Sequence, residues 1–250
     1  MGYEIDHIFV LTDAGAPAAD ALLQLGFTEG PPNRHEGQGT ANRRFFFDNA
    51  MLELLWVESV EDASGPVARP LLLAQRWIGR SNSASPFGIC LRPNNAQTIL
   101  PPFECYEYRP SYFPEGLVAH IGQGTPLSEP LWFFMAHSRR SQASPLKPHP
   151  APEHRIGVSS ITEVTITLPG TPSPITNAAA AACGVEVRER GTVLGTVKAW
   201  PGDADVVESQ AQRPALTVPA RCPARRAGRD EGTASRHEQR NCTDQERAMT

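Results

Sequence analysis

Two stretches decide how this chain folds: residues 5–27, IDHIFVLTDAGAPAADALLQLGF, and residues 35–57, HEGQGTANRRFFFDNAMLELLWV. The first opens on a short run rich in Ile, Phe, Val and Leu that ends at Thr12-Asp13, which predicts a buried strand over residues 3–12. Ala18, Ala21, Leu22 and Leu25 then recur at helical spacing. Pro17 suits the first turn and Gly26 the stop, so a short helix follows the strand. The second stretch begins with a Gly/Asn-rich loop (35–42) and continues as an aromatic strand (43–47). A turn at Asp48-Asn49 leads into a second apolar strand (51–57), the pattern of a hairpin.

Working outward, PVARPLLLAQRWIG (66–79) predicts a helix whose start Pro70 confines, and PFGICLRP (86–93) predicts another strand. Pro101, Pro102, Pro110 and Pro114 forbid long regular structure between them, so this stretch reads as loop. Strand-like segments return at GLVAHIGQG (116–124) and LWFFM (131–135), and residues 138–152 are a linker by composition. A last ordered unit carries a strand at 159–169, a helix at 175–184 and two further strands up to Trp200. Residues 202–250 contain no aromatic residue, no isoleucine, no lysine and one leucine. That composition buries too little apolar surface to offset ordering entropy, and the stretch reads as a disordered tail.

The chain has 250 residues, 40% hydrophobic and 20% charged, with a net charge of −4. That acidic balance argues against a nucleic-acid partner, for which a basic patch is expected. No apolar run long enough to span a membrane occurs, and the N-terminus lacks a basic signal-peptide start, so a cytoplasmic location is expected. The five cysteines are widely spaced without C-x-x-C, which indicates neither a disulfide framework nor a zinc knuckle. Phosphate-loop, dinucleotide, nucleophile-elbow and H-E-x-x-H motifs are all missing.

One motif recurs. Residues 35–40, HEGQGT, are matched by residues 120–125, HIGQGT, and each copy is soon followed by an aromatic strand (45–47 and 132–134). Two explanations stand: glycine turns that need positive φ, or duplication of a module made of a strand, a helix and antiparallel strands.

With these residues in view, residues 5–27 and 35–57 together resemble the opening βαβββ module of the vicinal oxygen chelate superfamily, and in particular its glyoxalase-like domain proteins. The similarity is good over residues 3–60, loose over 86–135 and partial over 154–200. It implies an α+β fold of paired βαβββ modules forming a curved mixed sheet around a cavity. The expected parts are a first module (1–60), a helical connection (61–85), a divergent second module with proline-rich insertions (86–200) and the tail (201–250). The modules pair within one chain or across a homodimer.

The resemblance also implies a divalent metal (Zn, Ni, Fe or Mn) with His7 from the first strand and Glu53 from the fourth as ligands. A neutral imidazole and a carboxylate from neighbouring strands suit such ions. The second module departs from the pattern, since PFGICLRP offers Phe87 and Gly88 where the third ligand is expected. Glu163 is the substitute candidate: residues 161–167 align either with the strand of Glu53, or with the first strand as the start of a third half-module. Glu53 and Glu163 are therefore the candidate catalytic carboxylates, and His7, Glu53 and Glu163 the candidate metal ligands. His35 and His120, in the repeated loops, are further candidates, as is a Cys90 nucleophile beside His120. Phe103, Tyr106, Tyr108, Tyr112 and Phe113, with Arg109, either line a cavity or pack around the prolines. The implied activity is a metal-dependent lyase, isomerase or dioxygenase acting on a small molecule with adjacent oxygens. The alternative is a metal-free binding protein of the bleomycin-resistance type.

Overall fold

The computed structural model describes residues 2–95, 98, 100–136, 152–189, 194–200 and 215–219, the last two stretches as backbone only. The first module has the strand, helix and hairpin that its sequence predicts, together with a short strand over residues 33–35 and a next strand that begins at Thr40, inside the stretch read as loop. Strand β1 (Tyr3–Leu11) leads into helix α1 (Ala18–Gln24), and β2 (Asn33–His35), β3 (Thr40–Phe46) and β4 (Met51–Val57) follow as an antiparallel set. Strand β4 returns parallel to β1, with Phe9 opposite Glu53 and His7 opposite Met51.

The connection is not the single helix expected over 66–79. It is α2 (Val60–Ser64), a 3₁₀ turn (Arg69–Leu71) and α3 (Leu73–Gly79). Leu72 stands between the last two at φ 55°, a left-handed conformation that breaks the helical run.

The second module repeats the strand plan of the first without its helix. Strand β5 (Phe87–Pro93) runs antiparallel to β1, and a loop replaces α1. Strands β6 (Cys105–Tyr108), β7 (Ala119–Gly122) and β8 (Leu131–Phe134) complete it, with β8 parallel to β5. Strand β6 lies inside the stretch read as loop; at four residues it fits between Pro102 and Pro110. The result is one eight-stranded sheet in the order β2-β3-β4-β1-β5-β8-β7-β6, so the modules pair within one chain across β1 and β5.

A second sheet, β10-β9-β11-β12, is built from β9 (Ser160–Leu168), β10 (Glu186–Glu189), β11 (Leu194–Trp200) and β12 (Ala215–Pro219). Helix α4 (Pro174–Cys183) joins the parallel strands β9 and β10, as a crossover between parallel strands requires. Strand β12 is the described part of the stretch read as a tail; the rest of 201–250, and the linker apart from Pro152, lie outside the described residues.

The large sheet has two unlike faces. Ile8, Val10, Leu52, Leu54, Ile89, Leu91, Trp132 and Phe134 point one way and share a core with Leu22 of α1, Val164, Ile166 and Leu168 of β9, and Ile175 and Ala179 of α4. Trp132 donates its indole N–H to Thr176 at 2.8 Å, which ties α4 to the second module. This later helix therefore covers the face of β8 in a module that has no helix of its own. Asn49, in the predicted turn, clamps the second sheet by accepting from Ile161 N (2.9 Å) and donating to Ile161 O (2.6 Å). The opposite face carries Phe9, Leu11, Leu55, Tyr108, Ala119, Ile121 and Leu131 around a second cluster, with Leu71 and Leu73 closing one side. This is the face on which the resemblance places a cavity, and it is named the cup for that reason.

The HxGQGT echo does not mark equivalent points of the two modules. The first copy turns β2 into β3, while the second leaves β7 for β8. Gly37, Gly39 and Gly124 have φ of 74°, 70° and 76°, so the turn requirement accounts for these three, whereas Gly122 ends β7, where a Cβ would lie 2.9 Å from Ile175.

Candidate functional site

Alternation along β1 and β4 sends His7, Phe9 and Glu53 to the cup face. Arg44 lies opposite Glu53 on β3, and His35 opposite Thr40 at the β2 edge, so both join that face. Glu53 is 8% exposed and makes no hydrogen bond among the described residues; the groups that feel its charge are His7, His35 and Arg44. A carboxylate held this way keeps its acceptor capacity for something outside the protein.

His7 owes its setting to an irregularity. Ile5 pairs with Leu91 but His7 with Cys90, so Asp6 is the extra residue of a β-bulge. The bulge re-aims Asp6 toward its neighbour: the Asp6 carboxylate lies 2.7 Å from His7 Nδ1, and both lie near the Cys90 sulfur. Buried Arg92 holds the other Asp6 oxygen at 3.1 Å, and also bonds Glu4 at 3.2 Å and Asn49 O at 2.7 Å. Burial opposes charge on His7, but the Cys90 sulfur, the Asp6 hydrogen bond and the Glu53 carboxylate outweigh it, raising its pKa well above the usual imidazole range. His35, by contrast, is lowered, by burial first and by the neighbouring cations His7 and Arg44, against the pull of Glu53.

The remaining candidates fall elsewhere. Strand β8, not 161–167, occupies the place in the second module that β4 has in the first, which removes the first of the two alignments offered for Glu163. Glu163 stands on β9 of the second sheet, where Thr165 Oγ1 donates to it at 3.5 Å, and it is not brought to the cup face. His120 is turned away from the cup, with its ring 6.0 Å from that of Phe134 in the core, so Cys90 has His7 as its imidazole neighbour instead. Tyr106, Tyr108, Tyr112 and Phe113 pack together in the apolar cluster on the cup face, whereas Phe103 belongs to the core behind the sheet and Arg109 is exposed, paired with Glu107.

A model of the glyoxalase-like domain matches residues 5–182. The chain belongs to the glyoxalase-like domain family. Solved structures that resemble this glyoxalase-like domain include a hypothetical protein from Staphylococcus aureus, at 16% identity and a TM-score of 0.41, over 67% of this chain and 70% of that one. Another is a hypothetical protein from Bacillus halodurans C-125, at 12% identity and 0.38, over 56% and 98%. No curated protein matches. No helix among the described residues is long and apolar enough to cross a membrane.

Within this glyoxalase-like domain the strand registers settle which positions correspond across the two modules. The pairs His7↔Cys90 and Phe9↔Gly88 exchange under the approximate twofold between β1 and β5, so Gly88 corresponds to His7 and Phe133 to Glu53. Neither is a donor. The gap at Gly88 is filled: a Cβ there would lie 2.0 Å from the Phe9 ring. Phe133 stands edge-on to His7, ring centres 5.3 Å apart. A metal centre drawing on the corresponding positions of both modules, as the resemblance implies, has donors at His7 and Glu53 and none at Gly88 and Phe133. Among the described residues, the three donors that do converge are Asp6, His7 and Cys90, within 4.8 Å of one another. Asp6 there already faces the guanidinium of Arg92 and the His7 ring, which suits a further cation poorly. The residues present do not fit the chelate centre.

Proposed function

We propose that the cup of this glyoxalase-like domain is a metal-independent binding site for a small molecule with an oxygen-bearing end and an apolar body. The oxygens lie against His7, Arg44 and Glu53, and the body against Phe9, Phe133 and Leu131. One observation carries the reading: the second module's two ligand positions are Gly88, covered by Phe9, and Phe133, so the half-site that would complete a chelate is an apolar wall. The unpartnered Glu53 carboxylate supports a polar end to the ligand, because a buried acceptor gains most from a donor that reaches it.

The test is elemental analysis of the purified full chain together with a thermal-shift screen of small oxygenated compounds, with and without chelator. The expected result is a Tm insensitive to chelator and raised by a subset of compounds, with His7→Ala and Glu53→Ala abolishing the compound effect. Near-stoichiometric Zn, Ni, Fe or Mn that disappears in both variants would overturn the reading in favour of metal-dependent catalysis.

A further inference from the structure

The first HxGQGT copy is more than a turn. Gln38 Nε2 donates to the Tyr112 hydroxyl at 2.6 Å, and the Tyr108 and Tyr112 hydroxyls lie 3.0 Å apart. The NH₂ end of the amide thus faces the phenols and the carbonyl end faces Thr40. The Gln38 carbonyl oxygen faces Thr40 Oγ1 at 2.6 Å and has no proton to give, so the Thr40 hydroxyl donates to it. His35 Nδ1 stands 3.0 Å from the same Thr40 oxygen, whose single proton is already directed at Gln38. The proton of that contact belongs to His35.

We infer that His35 is held as the Nδ1–H tautomer and offers its Nε2 lone pair, as a hydrogen-bond acceptor, to a hydroxyl of the ligand bound in the cup. Among the described residues nothing hydrogen-bonds Nε2, and the ring shares a face with Glu53 and Arg44. Two acceptors, Nε2 and the Glu53 carboxylate, beside the cations His7 and Arg44, select a ligand with both a hydroxyl and an acceptor oxygen. The relay also crosses the cup, joining the β2–β3 turn of the first module to the β6–β7 loop of the second through Gln38 and Tyr112. The second copy has no such relay: Thr125 Oγ1 donates to Gly122 O, at 3.3 Å. The ligand half of this assignment rests on reading the cup as a binding site; the tautomer does not.

Histidine ¹⁵N spectra of the labelled full chain test both halves. The expected free state has His35 protonated at Nδ1 over Nε2 by at least about fivefold, with the preference lost in Thr40→Val and weakened in the milder Tyr112→Phe. A predominant Nε2–H tautomer, or no preference, would overturn the assignment. Benzyl alcohol is then expected to move the Nε2 resonance, and benzyl methyl ether, which lacks the donor, to leave it in place. Equal response to the two compounds, or a response of the cup tyrosines without His35, removes His35 as the acceptor. If nothing in the cup responds, the binding reading fails while the tautomer stands or falls on the free spectrum.

Discussion

At the scale of single residues, the site depends on a few side chains whose neighbours leave them little choice. Asp6 is the buried counter-charge of Arg92, which is 1% exposed. Removing one partner of such a pair strands the other, so Asp6→Ala is expected to destabilise by about 3–5 kcal/mol in urea denaturation. Gly88→Ala drives a methyl into the Phe9 ring and should cost at least about 1–3 kcal/mol, most of it recovered when Phe9→Leu is added. His7 titrates with a defined sign. Its folded pKa lies above the unfolded value of about 6.5, so its contribution is fully present below that pH and is lost as pH rises through the folded pKa. Stability measured from pH 6 upward should therefore fall, with a slope that His7→Phe removes. The sequence made His7 and Glu53 visible because each interrupts an apolar strand. It could not reveal that Gly88 and Phe133 are their counterparts, since correspondence between modules depends on registers set by tertiary pairing. Asp6 escaped notice for a related reason: alternation sends it to the core, and only the bulge reverses that.

Among the elements, α1, β1, β3 and β4 were legible because periodicity, caps and the Asp48-Asn49 turn agree with one another. Strand β6 was hidden by its prolines, and the 66–79 helix failed at Leu72, whose left-handed φ no local pattern announces. Helix α4 is anchored by buried Glu129, whose carboxylate accepts from Ser173 N (2.9 Å), Ser173 Oγ (2.6 Å) and the Thr176 hydroxyl. A negative group at a helix N-terminus is favourable in itself. Glu129→Ala also leaves those donors without an acceptor, so a loss of about 2–4 kcal/mol is expected. Hydrogen exchange should report it first in residues 174–183.

For the whole molecule, the two sheets share one core, so they should unfold in a single transition whether followed by tryptophan fluorescence or far-UV circular dichroism. Trp132→Ala removes both the largest buried side chain and the bond to Thr176, and is expected to cost about 3–5 kcal/mol. The loan of α4 to the second module also sets an order of events during synthesis. The second module's last strand ends at Phe134, whereas the helix that covers it ends at Cys183. At about 5–20 residues per second, roughly 2–10 s separate their emergence. For that interval the back of the second module is bare, and a nascent chain halted before residue 174 is the form most exposed to aggregation and most in need of a chaperone.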